Sequence, residues 1–149
     1  KVADTFVPHA EKSIPLYHEG HDLICALSDF FVQPDSVCYD VGTSTGQLLR
    51  KLAQHNVNKP ETKWIGLDPQ ETMISKAQDH CSEYSNIELY TEDLLSHDMK
   101  KTDFIVCYYV LQFLQPRIRQ DALNKVYNSL NWGGGFIFFE KVRGPDARF

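Results

Sequence analysis

The sequence lacks any apolar run that approaches the length needed to cross a membrane, which is about 18 residues or more. Residues 1–10 contain no apolar core of the kind that a secretory leader has. Internal repeats, low-complexity tracts and linker-like stretches are missing as well. We therefore expect a single domain over residues 1–149, without a membrane span, located in the cytoplasm and large enough to bury a core.

Basic residues are scarce relative to acidic ones. The chain has 15 lysines and arginines against 20 aspartates and glutamates, which gives a formal net charge of −5. A protein that binds nucleic acid directly needs clustered basic side chains to displace counterions, so we do not expect that activity. The 4 cysteines include no Cys-x-x-Cys pair and are predicted to be buried thiols rather than metal ligands or disulfides.

The 6 histidines do not form an evident metal-ligand set. His18 and His21 would share one face of a helix, but the sequence near them shows no third ligand. This pattern favours a solvated helix face, and we predict no metal site. His97, next to Asp98, is expected to lie in a surface loop.

Apolar periodicity predicts helices that alternate with short strands. Helical spacing marks the regions around 23–31, 48–53, 73–81 and 118–130. The predicted strands are Val37–Val41, Trp64–Leu67, Ile87–Tyr90, Phe104–Val110 and Phe136–Phe139. The alternation predicts an α/β fold with a doubly wound, mostly parallel sheet. Within it, residues 1–34 are expected to form an N-terminal helical lid segment and residues 35–149 the core.

The last predicted strand, Phe136–Phe139, would be an unpaired apolar edge if the sheet stopped there. Sheets of this kind normally continue with another helix and one or two strands. We therefore expect that the chain lacks the C-terminal strands of a longer fold. A partner that covers the edge, as in a homodimer, is the alternative.

Acidic residues follow the first three predicted strands. Asp40 leads into the turn Gly42–Gly46, whose two glycines allow tight bending and close approach of a ligand. Asp68 ends the second strand, where a carboxylate can accept both ribose hydroxyls of a nucleoside. Asp93 ends the third, where it can accept from an adenine amine while the N–H of Leu94 donates to a ring nitrogen. Because ligands bind beyond the carboxyl ends of parallel strands, the pattern predicts a nucleoside-cofactor site.

The competing interpretation is a dinucleotide site, whose fingerprint is Gly-x-Gly-x-x-Gly around a pyrophosphate. Here Ser44 stands in place of the middle glycine, and Asp40 has the wrong charge to face phosphates. Acidic groups instead suit the ammonium and sulfonium ends of S-adenosyl-L-methionine. The sequence favours that cofactor.

The run Asp40–Gly46 resembles motif I of class I methyltransferases, Asp/Glu-x-Gly-x-Gly-x-Gly, with Ser44 as the departure. Tyr108–Pro116 is similar to the fourth-strand segment of the carboxy-S-adenosyl-L-methionine synthase family. Further similarity lies in 13–17, 31–34, 119–134 and 140–141, so the resemblance extends from about Ser13 to Lys141. It implies a Rossmann-like methyltransferase fold and, for that family, a role in converting the tRNA wobble uridine to its oxyacetyl form.

Carried over by position, the resemblance implies cofactor contacts from Tyr17, Gly42, Thr43, Ser44, Asp68, Pro69, Asp93 and Leu94. The complete predicted cofactor site is Tyr17, Asp40, Gly42, Thr43, Ser44, Gly46, Asp68, Pro69, Met73, Asp93, Leu94 and Tyr108. The family has asparagine at the position of Tyr108. Alternation along a strand predicts that Tyr108 and Tyr109 point to opposite faces, so that at most one faces the ligand.

Three functions are compatible with these residues. The favoured one is in-line methyl transfer from S-adenosyl-L-methionine to an unidentified acceptor, which would enter over Tyr109–Gln112 and beneath Tyr17–His21. The resemblance also implies an enzyme that makes carboxy-S-adenosyl-L-methionine from prephenate. The third is a non-catalytic cofactor-binding or assembly module that uses its edge strand. No particular catalytic base is predicted.

Overall fold

The computed structural model describes residues 13–142. Its helices are α1 (Tyr17–Ser28), α2 (Gln47–His55), α3 (Glu71–Cys81) and α4 (Pro116–Ser129). Its strands are β1 (Val37–Val41), β2 (Lys63–Leu67), β3 (Ile87–Tyr90), β4 (Thr102–Tyr108) and β5 (Leu130–Phe139), with a 3₁₀ turn at Leu111–Phe113. Of the predicted lid segment, residues 1–12 lie outside the described residues, as do residues 143–149 of the core.

The strands form one sheet in the order β3-β2-β1-β4-β5, and every neighbouring pair is parallel. The predicted α/β doubly wound fold is confirmed. The direction of winding reverses between β1 and β4, and a ligand crevice opens at such a point beyond the carboxyl ends of the strands.

Apolar side chains pack on both faces of the sheet. On one face, Ile24 of α1 and Leu52 of α2 pack with Trp64 and Phe104. On the other face, Ala122 and Val126 of α4 belong to the cluster around Tyr39, Ile65 and Ile105. Full burial of one such side chain contributes about 1.5–3 kcal/mol, so the two clusters hold the helices on the sheet. The 4 cysteines are free and buried, as predicted.

The glycine-rich segment before Phe136 differs from its prediction. The apolar pattern predicts a last strand that begins at Phe136, but β5 begins at Leu130, directly after α4, and runs to Phe139. The register shifts within it, because Thr102 pairs with Leu130 while Phe104 pairs with Gly135. A Cβ on Gly135 would lie 2.7 Å from the ring of Phe31, so the glycine lets that ring pack directly on the strand.

β5 is the outer strand of the described sheet. Trp132 and Phe138 are exposed along it. Among residues 13–142, no helix is long and apolar enough to cross a membrane.

Candidate functional site

Two adjoining cavities open at the carboxyl ends of β1, β2 and β4. One, of about 600 Å³, extends beneath α1 and is lined by Tyr17, His21 and Asp40; we call it the α1 chamber. The other, of about 420 Å³, extends over the ends of β2 and β3 and is lined by Asp68 and Asp93; we call it the β2–β3 chamber. Both are lined by Gly42, Ser44, Tyr108, Tyr109 and Phe113, so they form one crevice.

The crevice brings together all but one of the predicted cofactor residues. The α1 chamber contains Tyr17, Asp40, Gly42, Thr43, Ser44 and Tyr108. The β2–β3 chamber contains Gly42, Ser44, Asp68, Pro69, Met73, Asp93, Leu94 and Tyr108. Gly46 lines neither chamber. A Cβ there would lie 3.0 Å from both Ala77 Cβ and Cys81 Sγ, so this glycine allows α2 to pack closely on α3.

The turn between β1 and α2 uses the left-handed backbone conformation at alternate residues. Gly42 has φ +72°, Ser44 +53° and Gly46 +78°. Ser44 therefore adopts the conformation that a glycine would adopt more easily, a strain of about 1–2 kcal/mol for an L-residue. Its N–H donates to Asp68 Oδ2 at 3.0 Å, which helps to hold the turn in this shape.

Asp68 joins this turn to the end of β2. Its Oδ2 accepts from Ser44 and its Oδ1 accepts from the N–H of Gln70 at 2.9 Å. The side chain is mostly buried, and burial raises its pKa although the two N–H groups lower it. A carboxylate fixed by backbone donors retains lone pairs for further donors such as ribose hydroxyls.

Asp93 stabilises the turn that follows β3. Its Oδ1 accepts from the N–H groups of Leu95 and Ser96 at 2.8 and 2.9 Å. Both bonds use the same oxygen, so neither occupies Oδ2. Leu94 is buried beside it.

His97 lies in the predicted loop, but the expectation that it is at the surface is wrong. The side chain is buried, with Nδ1 2.7 Å from Glu92 Oε2 and Nε2 3.4 Å from Tyr39 Oη. The loop folds back onto Tyr39 of β1, a contact between residues 58 positions apart that no local pattern predicts. These contacts support the backbone from which Asp93 and Leu94 reach the crevice.

Asp40 is only 2% exposed and accepts a hydrogen bond from Thr43 Oγ1 at 2.8 Å. Its pKa is raised to about 7, chiefly by burial and to a smaller extent by the charge of Asp68, while hydrogen bonds from Thr43 and Leu49 partly offset the rise. The crevice thus has a buried acid at its inner end that titrates near neutral pH.

The raised pKa of Asp40 predicts a pH dependence of stability. The folded state holds the proton more tightly than the unfolded chain, whose aspartate pKa is about 4. The unfolding free energy therefore falls as the pH rises from about 4 to about 7. We expect the unfolding free energy of the wild type, minus that of Asp40→Asn, to fall by about 2–4 kcal/mol over this range. Urea denaturation of both proteins at several pH values checks this, and a difference that does not change with pH would contradict it.

Three rings cluster where α1 covers the α1 chamber. The ring centroids of Tyr17, His21 and Tyr108 lie 4.5–5.6 Å apart. Tyr108 Oη donates to the carbonyl oxygen of Tyr17 at 2.9 Å. A Cβ on Gly20 would lie only 2.2 Å from that Oη, so the phenol of Tyr108 fits against the bare backbone of Gly20.

His21 and Gly20 were not predicted as site residues. The expected solvated helix face is wrong for His21, which is 1% exposed because the rings of Tyr17 and Tyr108 pack beside it. Burial lowers its pKa to about 4, with the positive charge of Lys51 as the next cause. A glycine inside an amphipathic helix costs about 1 kcal/mol relative to alanine, and this was the signal that another group approaches α1 closely.

The prediction that only one of Tyr108 and Tyr109 faces the ligand is also wrong, because both line the two chambers. Tyr109 has φ +58°, which ends the strand and its alternation. The carboxylate of Glu140 then accepts the N–H groups of the next three residues, Val110, Leu111 and Gln112, at 2.6–3.1 Å. Glu140 thus fixes the wall of the crevice, a role that was not predicted from the sequence.

The fit between Gly20 and Tyr108 can be tested by a double-mutant cycle. Gly20→Ala is expected to lower the unfolding free energy by about 1–3 kcal/mol, because the new Cβ collides with the phenol. In a Tyr108→Asn background the collision is removed, and the same change should be neutral or stabilise by up to about 1 kcal/mol through helix propensity. Additive effects in urea denaturation would mean that the two residues do not meet.

Residues 39–136 match a family model described as a methyltransferase domain. The chain belongs to the methyltransferase domain family. The Asp40–Gly46 turn and all residues that line the β2–β3 chamber lie within the matched region, whereas the α1 chamber is also lined by residues outside it, such as Tyr17, His21 and Glu140.

Curated relatives of this methyltransferase domain include two bacterial proteins named carboxy-S-adenosyl-L-methionine synthase. The Staphylococcus epidermidis protein is 34% identical over 144 residues, covering 97% of this chain and 62% of the relative. The Sulfurimonas denitrificans protein is 35% identical over 147 residues, which cover 95% of this chain and 60% of the relative. The chain thus spans about three fifths of the length of the curated relatives it matches.

Solved structures share the fold. N-methyltransferase NodS from Bradyrhizobium japonicum, solved with S-adenosyl-L-homocysteine, superposes with a TM-score of 0.72 at 24% identity and covers 87% of this chain and 64% of its own. An O-methyltransferase-like protein from Nostoc punctiforme superposes with a TM-score of 0.71 at 18% identity, and the match covers 92% of this chain and 39% of that protein. At these identities the likeness extends to the fold alone.

Proposed function

We propose that this protein is an S-adenosyl-L-methionine-dependent methyltransferase. The observation that carries the proposal is the single crevice at the carboxyl ends of the strands. Asp40, Asp68 and Asp93 line it, and Gly42 and Ser44 of the turn after β1, both with positive φ, line both of its chambers. This acidic lining suits a cationic nucleoside better than a pyrophosphate.

The adenosine part would bind in the β2–β3 chamber. Asp68, already fixed by two backbone N–H groups, would accept the ribose hydroxyls. Asp93 and Leu94 would hold the adenine edge, with Pro69 and Met73 packed against the nucleoside. The amino-acid part would then pass Gly42 and Ser44 into the α1 chamber, where Tyr17, Asp40 and Thr43 lie.

The bound cofactor supplies an electrophilic methyl group on a positively charged sulfur. The residues of this chain contribute position and exclusion of water. Tyr108, hydrogen-bonded to Tyr17, holds α1 over the chamber, and burial raises the pKa of Tyr108 so that its phenol remains a donor. Tyr109 and Phe113 form the wall along which an acceptor would lie. Alignment of this kind supplies several kcal/mol of rate enhancement without a strong base.

A second candidate activity is the synthesis of carboxy-S-adenosyl-L-methionine from prephenate. The names of the curated relatives, at 34–35% identity, favour it. Prephenate is a dianion, and Lys141 lines the α1 chamber with its cationic side chain. Against it, Asp40 and Glu140 line the same chamber and would repel carboxylates.

The net charge of the chain and the exposed side chains of β5 support proposals about its binding partners. The formal charge of −5 supports a small-molecule acceptor over direct binding of nucleic acid. The exposed Trp132 and Phe138 on β5 support a homodimer as one way to cover that strand. We place the protein in the cytoplasm, as a single domain whose N-terminal segment acts as a lid over the α1 chamber.

Turnover separates the candidates. The protein is incubated with S-adenosyl-L-methionine, with and without prephenate and a panel of small nucleophiles, and the small molecules are identified by mass spectrometry. Formation of S-adenosyl-L-homocysteine supports methyl transfer. A mass gain of one carboxyl group on the cofactor, dependent on prephenate, supports the second candidate. Binding with no turnover would leave the non-catalytic module.

A further inference from the structure

His97 closes the turn that carries the predicted adenine contacts. Its backbone N–H donates to the carbonyl oxygen of Asp93 at 3.0 Å, so residues 93–97 form one compact turn after β3. Within it, the carboxylate of Asp93 accepts the N–H groups of Leu95 and Ser96. Asp93 is exposed to solvent, so this turn, rather than side-chain packing, fixes the direction of its carboxylate.

The imidazole of His97 joins the turn to β1. Nδ1 lies 2.7 Å from Glu92 Oε2, and Nε2 lies 3.4 Å from Tyr39 Oη. A carboxylate can only accept, so Nδ1 is the donor. Tyr39 Oη already accepts the N–H of Lys100 at 3.0 Å, and its own hydrogen is left to donate to Nε2. One histidine thus holds the chain on both sides of Asp93.

The histidine does this from a buried position behind the crevice. His97 is 7% exposed, Tyr39 is fully buried, and the ring of Tyr90 at the end of β3 lies 5.0 Å from the imidazole. Neither His97 nor Tyr39 is among the described residues that line the two chambers, whereas Asp93 and Leu94 line the β2–β3 chamber. An effect of His97 on a ligand therefore has to pass through the turn.

The hydrogen-bonding edge of the base decides what this turn can distinguish. In the proposed site, the 6-amino group of adenine donates to Asp93 and N1 accepts the N–H of Leu94. Hypoxanthine reverses both positions, because it carries a 6-oxo group and a hydrogen on N1. An acceptor would then face the carboxylate, and a donor would face the N–H. A site built to pair one edge rejects the reversed edge, because its own polar groups are left unpaired.

We propose that His97 determines the selectivity for adenine, because it holds the turn so that Asp93 and the N–H of Leu94 meet the base together. His97 is a positioning residue, since it acts through the turn. α4 holds the middle of the turn through Lys125 Nζ, 2.6 Å from the carbonyl oxygen of Leu95, and His97 holds its two ends. The proposal rests on the proposed binding of S-adenosyl-L-methionine.

The test compares two ligands that differ only in the base. Calorimetric titration is done with S-adenosyl-L-homocysteine and with S-inosyl-L-homocysteine, and the ratio of their dissociation constants is measured. The wild type should prefer the adenosyl ligand by about 100-fold or more. His97→Phe keeps a ring beside Tyr39 and removes both nitrogens, and it should reduce this preference by about tenfold or more.

Two further variants and a control distinguish positioning from a general loss of structure. His97→Asn places an amide N–H near the position of Nδ1, next to Glu92, and should recover part of the preference. Tyr39→Phe removes only the hydroxyl and should reduce the preference in the same direction, which keeps the test open if His97→Phe fails to fold. His55→Phe removes an exposed histidine 3.0 Å from Asp29 Oδ1, at the last residue of α2, and should leave the preference within about twofold of the wild type.

A preference that stays within about twofold of the wild type in both His97→Phe and Tyr39→Phe would overturn the proposal, because the histidine would then only stabilise the fold. A wild type that binds the two ligands equally would also overturn it, since the turn would not distinguish the bases. A wild-type protein that binds neither ligand would instead overturn the proposed function on which it rests.

Discussion

Replacing Asp68 by alanine is expected to weaken binding of S-adenosyl-L-homocysteine by about 10- to 100-fold, or about 1.4–2.8 kcal/mol. The carboxylate has two tasks, because it holds the N–H groups of Ser44 and Gln70 and leaves lone pairs toward the β2–β3 chamber. Its loss leaves the ribose hydroxyls unpaired and frees the turn. Calorimetric titration measures the change.

A matched control for this variant is Asp35→Ala. Asp35 is exposed and precedes β1, so it lies at the opposite end of the strand from the crevice. The Asp35→Ala substitution also removes one carboxylate. It should leave the affinity for S-adenosyl-L-homocysteine within about twofold of the wild type, because interactions between distant exposed charges are screened by salt. Asp68→Asn should fall between the wild type and Asp68→Ala, since one of its two side-chain atoms still accepts an N–H. Unchanged affinity in Asp68→Ala would mean that the ribose binds elsewhere.

Gly42→Ala is expected to lower the unfolding free energy by about 2–4 kcal/mol, the largest effect on stability that we expect from one added methyl group. The residue has φ +72°, and a Cβ there would lie 2.5 Å from Cγ2 of Val110. Both the backbone strain and the collision act on the turn that joins β1 to α2, where it packs against Val110 of the crevice wall. Urea denaturation measures the loss.

Ser44→Gly is the matched control in the same turn. Ser44 has φ +53°, so glycine relieves strain there while it loses the contact of Oγ with Met73 Sδ at 3.6 Å. We expect the unfolding free energy of Ser44→Gly to lie between slightly below that of the wild type and about 1 kcal/mol above it. If Gly42→Ala proved as mild as Ser44→Gly, the turn would not need its left-handed geometry.

The fold was predictable because the apolar strands are short and buried, and because acids follow them at fixed places. β1, β2 and β3 were located to within about one residue of their observed limits, an accuracy that such patterns rarely exceed. Local features also located the turn, since Gly42 and Gly46 lie at two of the three positions in it that have positive φ. Features that are set by residues close together in the sequence were therefore predictable.

Features that are set by contacts between residues far apart in the sequence were not predictable. His21 reads as a polar position on a helix and is buried only because Tyr108, 87 positions later, packs beside it. Glu140 fixes the turn at Leu111–Phe113 from the far end of β5. The residues predicted from motifs line the crevice, apart from Gly46, whereas those brought there by tertiary contacts were found only with the structure.

A crystal structure of the protein with S-adenosyl-L-homocysteine tests the central claim most directly. We predict the ribose hydroxyls within hydrogen-bond distance of Asp68, the adenine beside Asp93 and Leu94, and the amino-acid end in the α1 chamber near Asp40. Nucleoside density outside the crevice, or side chains filling both chambers in the presence of saturating ligand, would contradict the account.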